Sequence, residues 1–244
     1  MKTKPKKSLS QFFLQDKKVL AKIAAGLGPI KDKVVIEIGG GRGDLSRFLI
    51  GAKKLIIYEV DSVLANFLKE SFSGLKQIQV KNEDFLKADL EIFSHRYLLI
   101  GNIPYHLTGL ILRRVINQKN FPQIVVLTLQ KEYGEKILGR PKENFLSQWT
   151  RVFGSVQKLV VIKKGLFRPT PKVDSIAVAI NFYPKPLLVQ PEKFERFLKI
   201  IFCQPNRKIG KKLGLGVDEK FSHLRPHQLK FEELIEIYEN NFKK

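Results

Sequence analysis

The chain is poor in cysteine, histidine and acid, and each shortage removes a class of chemistry. Its one cysteine, Cys203, cannot form a disulfide within the chain, and the four histidines, His95, His106, His223 and His227, show no metal-ligand spacing with it. Metal and redox chemistry therefore drop out of the reading. No apolar run reaches the roughly 18 to 20 residues that a membrane helix needs, so no membrane partner is expected. The start carries Lys2, Lys4, Lys6 and Lys7 with no apolar stretch behind them, and reads as neither a signal peptide nor a transit helix. A cytoplasmic location is the expectation.

Acid is the most informative shortage. Against 44 Lys and Arg stand 23 Asp and Glu, a net charge of +21. A neutral small substrate needs no such field, whereas a phosphate backbone rewards it through counterion release and faster encounter. A general enrichment in lysine would give the same number, so charge alone names no partner. What is abundant is core material: 43% of the 244 residues are hydrophobic and 18 are Phe. That suits one main domain with an appendage.

Residues 1–10 form a basic tail. Phe13, Val19, Leu20, Ile23 and Ala24 recur at helical spacing, which predicts a helix over Gln11–Leu27. Short β-rich runs follow at Val34–Ile38, Leu55–Tyr58, Ile78–Val80, Tyr97–Ile100 and Ile124–Leu129. Helix-like segments such as Ser62–Phe72 and Leu107–Gln118 separate most of them. This alternation predicts an α/β fold, a Rossmann-like parallel sheet covered by helices. Val156–Ile162 and Ile176–Phe182 have only a Pro-rich loop between them and are expected to pair as an antiparallel terminal hairpin. After the linker Tyr183-Pro-Lys-Pro186, the spacing of Phe194, Phe197, Leu198, Ile201 and Phe202 and the stretch Leu229–Tyr238 predict a small helical domain. The expected division is thus 1–10, 11–183 and 184–244.

Val34-Val-Ile-Glu-Ile-Gly-Gly-Gly-Arg-Gly-Asp-Leu45 reads as a buried strand ending in a glycine turn. Glycine lets the backbone turn sharply and approach a ligand closely, and the first strand of an open α/β sheet delivers that turn to the crevice at the strands' carboxyl ends. The dinucleotide fingerprint would place its third glycine where Asp44 stands, which disfavours a nicotinamide oxidoreductase. An acid, Glu37, leading into Gly39, Gly41 and Gly43 is instead the pattern of S-adenosyl-methionine enzymes. The second strand ends in Glu59, where a carboxylate can reach ribose hydroxyls, and the third is followed by Asp84, which can accept a hydrogen bond from an adenine amino group. Each acid alone is equally well a helix cap or a solvated loop residue. Their recurrence on three consecutive strand ends favours a nucleoside site.

The fourth strand runs into Gly101-Asn-Ile-Pro-Tyr105. An adenine amino group is a poor nucleophile because its lone pair is delocalised into the ring, so geometry must activate it. The Asn102 side-chain oxygen and a backbone carbonyl near Ile103 can accept both N–H bonds and aim the lone pair at a methyl donor. Pro104 fixes its backbone angle, and Tyr105 can stack on the target base.

Asn102-Ile-Pro-Tyr105, the glycine turn, Gln130-Lys-Glu132 and Phe167-Arg-Pro-Thr-Pro-Lys-Val-Asp-Ser175 together resemble the ribosomal RNA adenine dimethyltransferase family, over roughly residues 11 to 183. The resemblance implies a methyltransferase fold and transfer of two methyls in succession from S-adenosyl-methionine to N6 of adenine. The target is either an adjacent pair near the 3′ end of small-subunit rRNA or one adenine of large-subunit rRNA, whose modification confers macrolide resistance. It implies that Leu14, Gly39, Gly41, Glu59, Asp84 and Asn102 contact the cofactor or the reacting centre, and that Phe167 helps hold a flipped base beside Tyr105. Extrusion of the base is physically expected, because the amino group of a stacked, paired adenine is out of reach.

Two departures stand out. Ser10-Gln-Phe-Phe-Leu14 has Phe12 where the family usually has a cofactor-binding asparagine, and Gly40 stands where the small-subunit enzymes usually have proline. Gln130-Lys-Glu132 with Lys136-Ile137, and Pro169 to Ser175, resemble the small-subunit branch. Phe202-Cys-Gln-Pro-Asn-Arg-Lys-Ile209 resembles an altered form of the family's Arg-Arg-Lys segment. Phosphate contacts are expected from Lys163, Lys164 and Arg168 beside the Pro-rich loop, and from Arg207, Lys208, Lys211 and Lys212, besides the tail. Such contacts position a partner without reading its sequence. A monomer is expected. The competing reading, kept alive by Phe12, is an RNA-binding assembly factor, or a nucleic-acid-binding relative of transcription factors, that has lost transfer activity.

Overall fold

A computed structural model describes residues 11–90, 97–214 and 217–242; the basic tail and its lysines lie outside them, as does His95. The described residues gather into two compact units. One comprises the chain up to Gly134 together with Gln157–Pro184, the other Glu135–Val156 together with the chain from Lys185 onward.

The first unit opens with a two-residue strand, β1 (Phe13–Leu14), and a helix, α1 (Lys17–Ala25). The helix expected over Gln11–Leu27 is therefore shorter. Asp16 ends the extended stretch and caps α1 by accepting the Val19 N–H at 2.9 Å. Phe13 and Leu14 are drawn away from helical geometry by pairing, antiparallel, with Arg168 and Phe167. Leu14 consequently comes from a strand and not from a helix.

Then follow β2 (Val34–Ile38), β3 (Lys54–Tyr58), α2 (Ser62–Ser71), β4 (Ile78–Lys81), β5 (Leu98–Asn102), α3 (Thr108–Ile116), β6 (Ile124–Gln130) and α4 (Lys131–Ile137). Next come α5 (Phe145–Phe153), β7 (Gly154–Ile162), β8 (Phe167–Arg168) and β9 (Ser175–Phe182). Seven strands form one sheet in the order β4-β3-β2-β5-β6-β9-β7. The pairs from β4 to β6 are parallel, and β9 runs antiparallel to β6 from Ser175 against Gln130 to Asn181 against Ile124. Val35, Ile36, Leu55, Ile56 and Ile57 are at most 1% exposed, as expected for strands covered on both faces and built from unbroken β-branched and aliphatic runs.

Strand order places the site. The chain goes from β2 to β3 on one side and later enters β5 on the other, so the crevice at the carboxyl ends of β2 and β5 is a topological switch point. The glycine turn after β2 opens there. Gly40 is packing-limited in this chain: a Cβ on it would lie 2.4 Å from Ile57 Cγ2 and 2.8 Å from Leu68 Cδ1. The space a proline ring would need is filled by aliphatic side chains.

In the second unit, α5 lies in a segment that the strand–helix pattern of the first domain had not resolved as a helix. Asn144 caps it through the Leu146 and Ser147 amides, and Glu143 gathers Ser147, Gln148 and Arg151 at 2.8, 3.0 and 2.6 Å. The remaining helices are α6 (Pro191–Phe202), α7 (Ile209–Leu213), α8 (Glu219–Ser222) and α9 (Phe231–Phe242). Their core is an aromatic cluster in which Phe194 meets Tyr238 edge-on at 5.2 Å and Phe197 packs on Phe242 at 5.1 Å.

Candidate active site

One pocket of the first unit gathers the residues singled out in the sequence. Its wall runs from Gln11–Leu14 through the glycine turn, Glu59 and Asp84 to Asn102–Leu107 and Phe167. Gly39, Gly41 and Gly43 all have positive φ, of 73°, 55° and 76°, a conformation that glycine reaches without a Cβ clash. A Cβ on Gly39 would meet nothing nearer than the Asn102 carbonyl at 4.0 Å, so the backbone there faces open pocket. Such a cradle suits a ligand that lies against bare backbone.

Glu59 fastens the turn to the sheet. Its Oε2 accepts the Gly41 N–H at 2.8 Å and its Oε1 the Asp61 N–H at 2.9 Å. Burial raises the Glu59 pKa, with the Asp61 and Gly41 amides pulling the other way. Each carboxylate oxygen retains a second lone-pair direction with which to accept a ligand hydroxyl. Asp84 caps the turn after β4 by accepting the Leu86 N–H at 2.9 Å on Oδ1. Both acids act as caps or ties in the protein and also line the pocket.

Glu37 is 1% exposed, and its pKa is raised to about 8, chiefly by burial. The Ser46 hydroxyl beside it offsets part of the rise, and the charges of Glu59 and Asp44 add to it. Neither Glu37 Oε2 nor Ser46 Oγ completes a hydrogen bond of good geometry. Proximity to the hydroxyl thus does little to satisfy the acid.

At the end of β5, the Asn102 side-chain amide donates to the Phe12 carbonyl at 3.0 Å. That engages its nitrogen and leaves Oδ1 as the acceptor. Ile103 is buried, Pro104 has φ −56° and ψ 131°, and Tyr105 begins a short 3₁₀ turn whose carbonyl accepts the Thr108 hydroxyl at 2.9 Å. The Tyr105 ring stacks on Phe12, with centroids 6.0 Å apart and planes 21° from parallel, and its hydroxyl lies 2.7 Å from Ser175 Oγ. Phe167 lines the same pocket but is only 1% exposed, held in the core by the pairing of β8 with β1. Phe13 also faces the turn, with the Arg42 guanidinium 4.5 Å from its ring centre. Sequence reasoning had singled out neither Phe13 nor the Ser175 bond; Ser175 stood inside a quoted motif, yet spacing gives no sign of its partner.

The basic residues are distributed over both units. Lys163 pairs with Asp174 at 3.3 Å, Asp174 also accepts the Lys164 amide at 3.0 Å, and Arg168 donates to the Gly165 and Phe167 carbonyls. In the second unit Arg207 donates to Gln204 at 3.3 Å. Lys208 and Lys211 are exposed at the start and middle of α7, and Lys212 donates to the Ile201 carbonyl. No helix among the described residues is long and apolar enough to cross a membrane, and among them no group of His, Cys, Asp and Glu has metal-site geometry.

A parallel sheet with an antiparallel β9, a glycine cradle after β2, an acid ending β3 and Asn-Ile-Pro-Tyr ending β5, all facing one pocket, define an α/β methyltransferase. The chain belongs to the ribosomal RNA adenine dimethylase family, whose model matches residues 2–239. It is 36% identical to the ribosomal RNA small subunit methyltransferase A of Thermotoga petrophila, over 97% of this chain and 91% of that protein. To the protein of the same name from Mycoplasma mobile it is 35% identical, over 93% and 91%. Among solved structures, the 23S rRNA methyltransferase ErmE superposes with a TM-score of 0.79 at 25% identity, covering 94% of this chain and 99% of that one. A dimethyladenosine transferase from Plasmodium falciparum shares the fold, with a TM-score of 0.81 at 21% identity over 94% and 98%.

Proposed function

We propose that this chain transfers methyl groups from S-adenosyl-methionine to N6 of adenines in small-subunit ribosomal RNA, dimethylating an adjacent pair near the 3′ end during subunit assembly. The observation that carries the reading is the Asn102 amide: its nitrogen is committed to Phe12, so its oxygen is the group available to an incoming amino N–H. The names of the relatives favour the small subunit over the large one. The cytoplasm is the expected place of action, and a monomer the expected form.

The residues fit the cofactor. The Gly39 and Gly41 backbone would lie against it, Leu14 would supply apolar cover, Glu59 would accept its ribose hydroxyls and Asp84 its adenine amino group. Bound there, the cofactor supplies an electrophilic methyl carried on a sulfonium. The protein's share is orientation: Asn102 Oδ1 and the carbonyl near Ile103 accept the two amino N–H bonds and draw the nitrogen toward tetrahedral geometry. Pro104 holds that carbonyl in place, Tyr105 offers a face to the base, and Phe167 closes the pocket behind it. The helical unit, with Arg207 and Lys208, and the Pro-rich loop, with Lys163, Lys164 and Arg168, are assigned to phosphate contacts.

The test is transfer from labelled cofactor to small-subunit and large-subunit particles lacking their own adenine modifications, with Asn102→Ala as control. Label on small-subunit rRNA that falls at least about 100-fold in the variant supports the reading. Label confined to large-subunit rRNA moves the target to the other subunit, and salt-sensitive binding without transfer to either leaves a binding factor on this fold.

A further inference from the structure

We propose that Phe12 is the second wall of the acceptor-base slot, stacking on the target adenine opposite Tyr105; the proposal rests on the adenine-methylation reading above. Phe12 touches both groups assigned to the acceptor. Its carbonyl receives the Asn102 side-chain amide at 3.0 Å, and its ring lies over that of Tyr105 with planes 21° from parallel. The acids assigned to the cofactor, Glu59 and Asp84, follow β3 and β4, on the other side of β2 from the β5 end that carries Asn102 and Tyr105. Phe12 therefore contacts the acceptor side of the crevice.

Spacing fits a slot that is closed in the free protein. A base held between two aromatic faces needs about 3.5 Å on each side, or about 7 Å in all, and the ring centroids stand 6.0 Å apart. A shift of about 1 Å or a little more opens it. Tyr105 is the fixed jaw, because its hydroxyl lies 2.7 Å from the fully buried Ser175. Phe12 is the moving jaw: it is half-buried and sits on the extended stretch before β1. Phe167 cannot take that part without disturbing the core, where its ring is 1% exposed. While the slot is closed, each ring keeps the other's face dry, so the entering base exchanges one stacked pair for two.

The experiment uses the full chain with Phe12→Ala, Phe12→Tyr and Phe12→Asn, after thermal unfolding has shown that each folds. A single-stranded RNA oligonucleotide carrying one 2-aminopurine reports stacking by quenching of its fluorescence, independently of turnover. Calorimetry with S-adenosyl-homocysteine reports the cofactor side. Phe12→Ala and Phe12→Asn are expected to lose most of the quench and to weaken RNA binding about tenfold, a typical worth for one base–aromatic stack. Phe12→Tyr should retain both, and homocysteine-product affinity should change less than about twofold in all three. Three results overturn the slot: no quench with the wild-type chain, a quench unaltered in Phe12→Ala, or a loss confined to S-adenosyl-homocysteine affinity, which would make Phe12 a cofactor wall. A Phe12-dependent quench from a chain that methylates no rRNA would uphold the slot while overturning the enzymatic reading.

Discussion

The hydroxyl of Tyr105 and Oγ of Ser175 lie 2.7 Å apart, joining the turn after β5 to the first residue of β9. Ser175 is fully buried and Tyr105 half-buried, so neither can exchange this partner for water at no cost. Burial raises the Tyr105 pKa and Ser175 opposes the rise. Ser175→Ala is therefore expected to raise the phenol pKa further, seen as a displaced titration of the Tyr105 Cζ resonance, and to lower transfer about 3- to 10-fold through loss of ring orientation. Ser175→Thr should restore both if the hydroxyl is the operative group. A lowered or unmoved titration in Ser175→Ala would show that the bond does not position Tyr105.

Glu37 makes stability depend on pH in a defined direction. Its carboxyl titrates near 8 in the folded chain against an ordinary value of 4.5. Between those values the native state holds a proton that the unfolded chain has released, so stability falls as pH rises through the window and levels off above it. Glu37→Gln should change the thermal midpoint little at pH 5 and raise it by about 5 °C or more at pH 9. Unfolding scans from pH 4 to 9.5 check this, and a variant no more stable than the wild type at pH 9 would exclude a buried, protonated Glu37.

The paired change Arg207→Ala with Lys208→Ala should weaken binding to rRNA of any sequence and reduce the slope of log affinity against log salt by up to about 2. Both residues are exposed, so the thermal midpoint should stay within about 2 °C. Binding titrations between 50 and 200 mM salt decide it. An unchanged slope would remove these two residues from the phosphate-contacting set.

Much of this was legible before any coordinates, for identifiable reasons. Val34–Ile38 and Ile124–Gln130 are strands covered on both faces, and unbroken aliphatic runs of strand length bounded by turns betray such strands. The glycine turn and Asn102-Ile-Pro-Tyr105 are local, so their placement at adjoining strand ends followed once strand order was inferred. Long-range pairing was not legible. Phe13 and Leu14 carry an apolar pattern that suits a helix, and only Phe167 and Arg168, far along the chain, make them a strand. Gly40 in place of proline looked like a choice about backbone angles; the reason visible in the fold is the room taken by Ile57 and Leu68. Phe12 looked like a lost polar contact, whereas its ring found a partner that sequence spacing could not reveal.

The pairing of β1 with β8 also has a consequence for how the molecule is made. A chain emerging from its ribosome completes the glycine cradle early, but the wall that carries Phe12 to Leu14 has nothing to pair with until Phe167 and Arg168 have appeared. Cofactor affinity should therefore arise late in synthesis, after β7 is complete, and nascent chains stopped after β6 should hold most of the parallel sheet without a finished pocket.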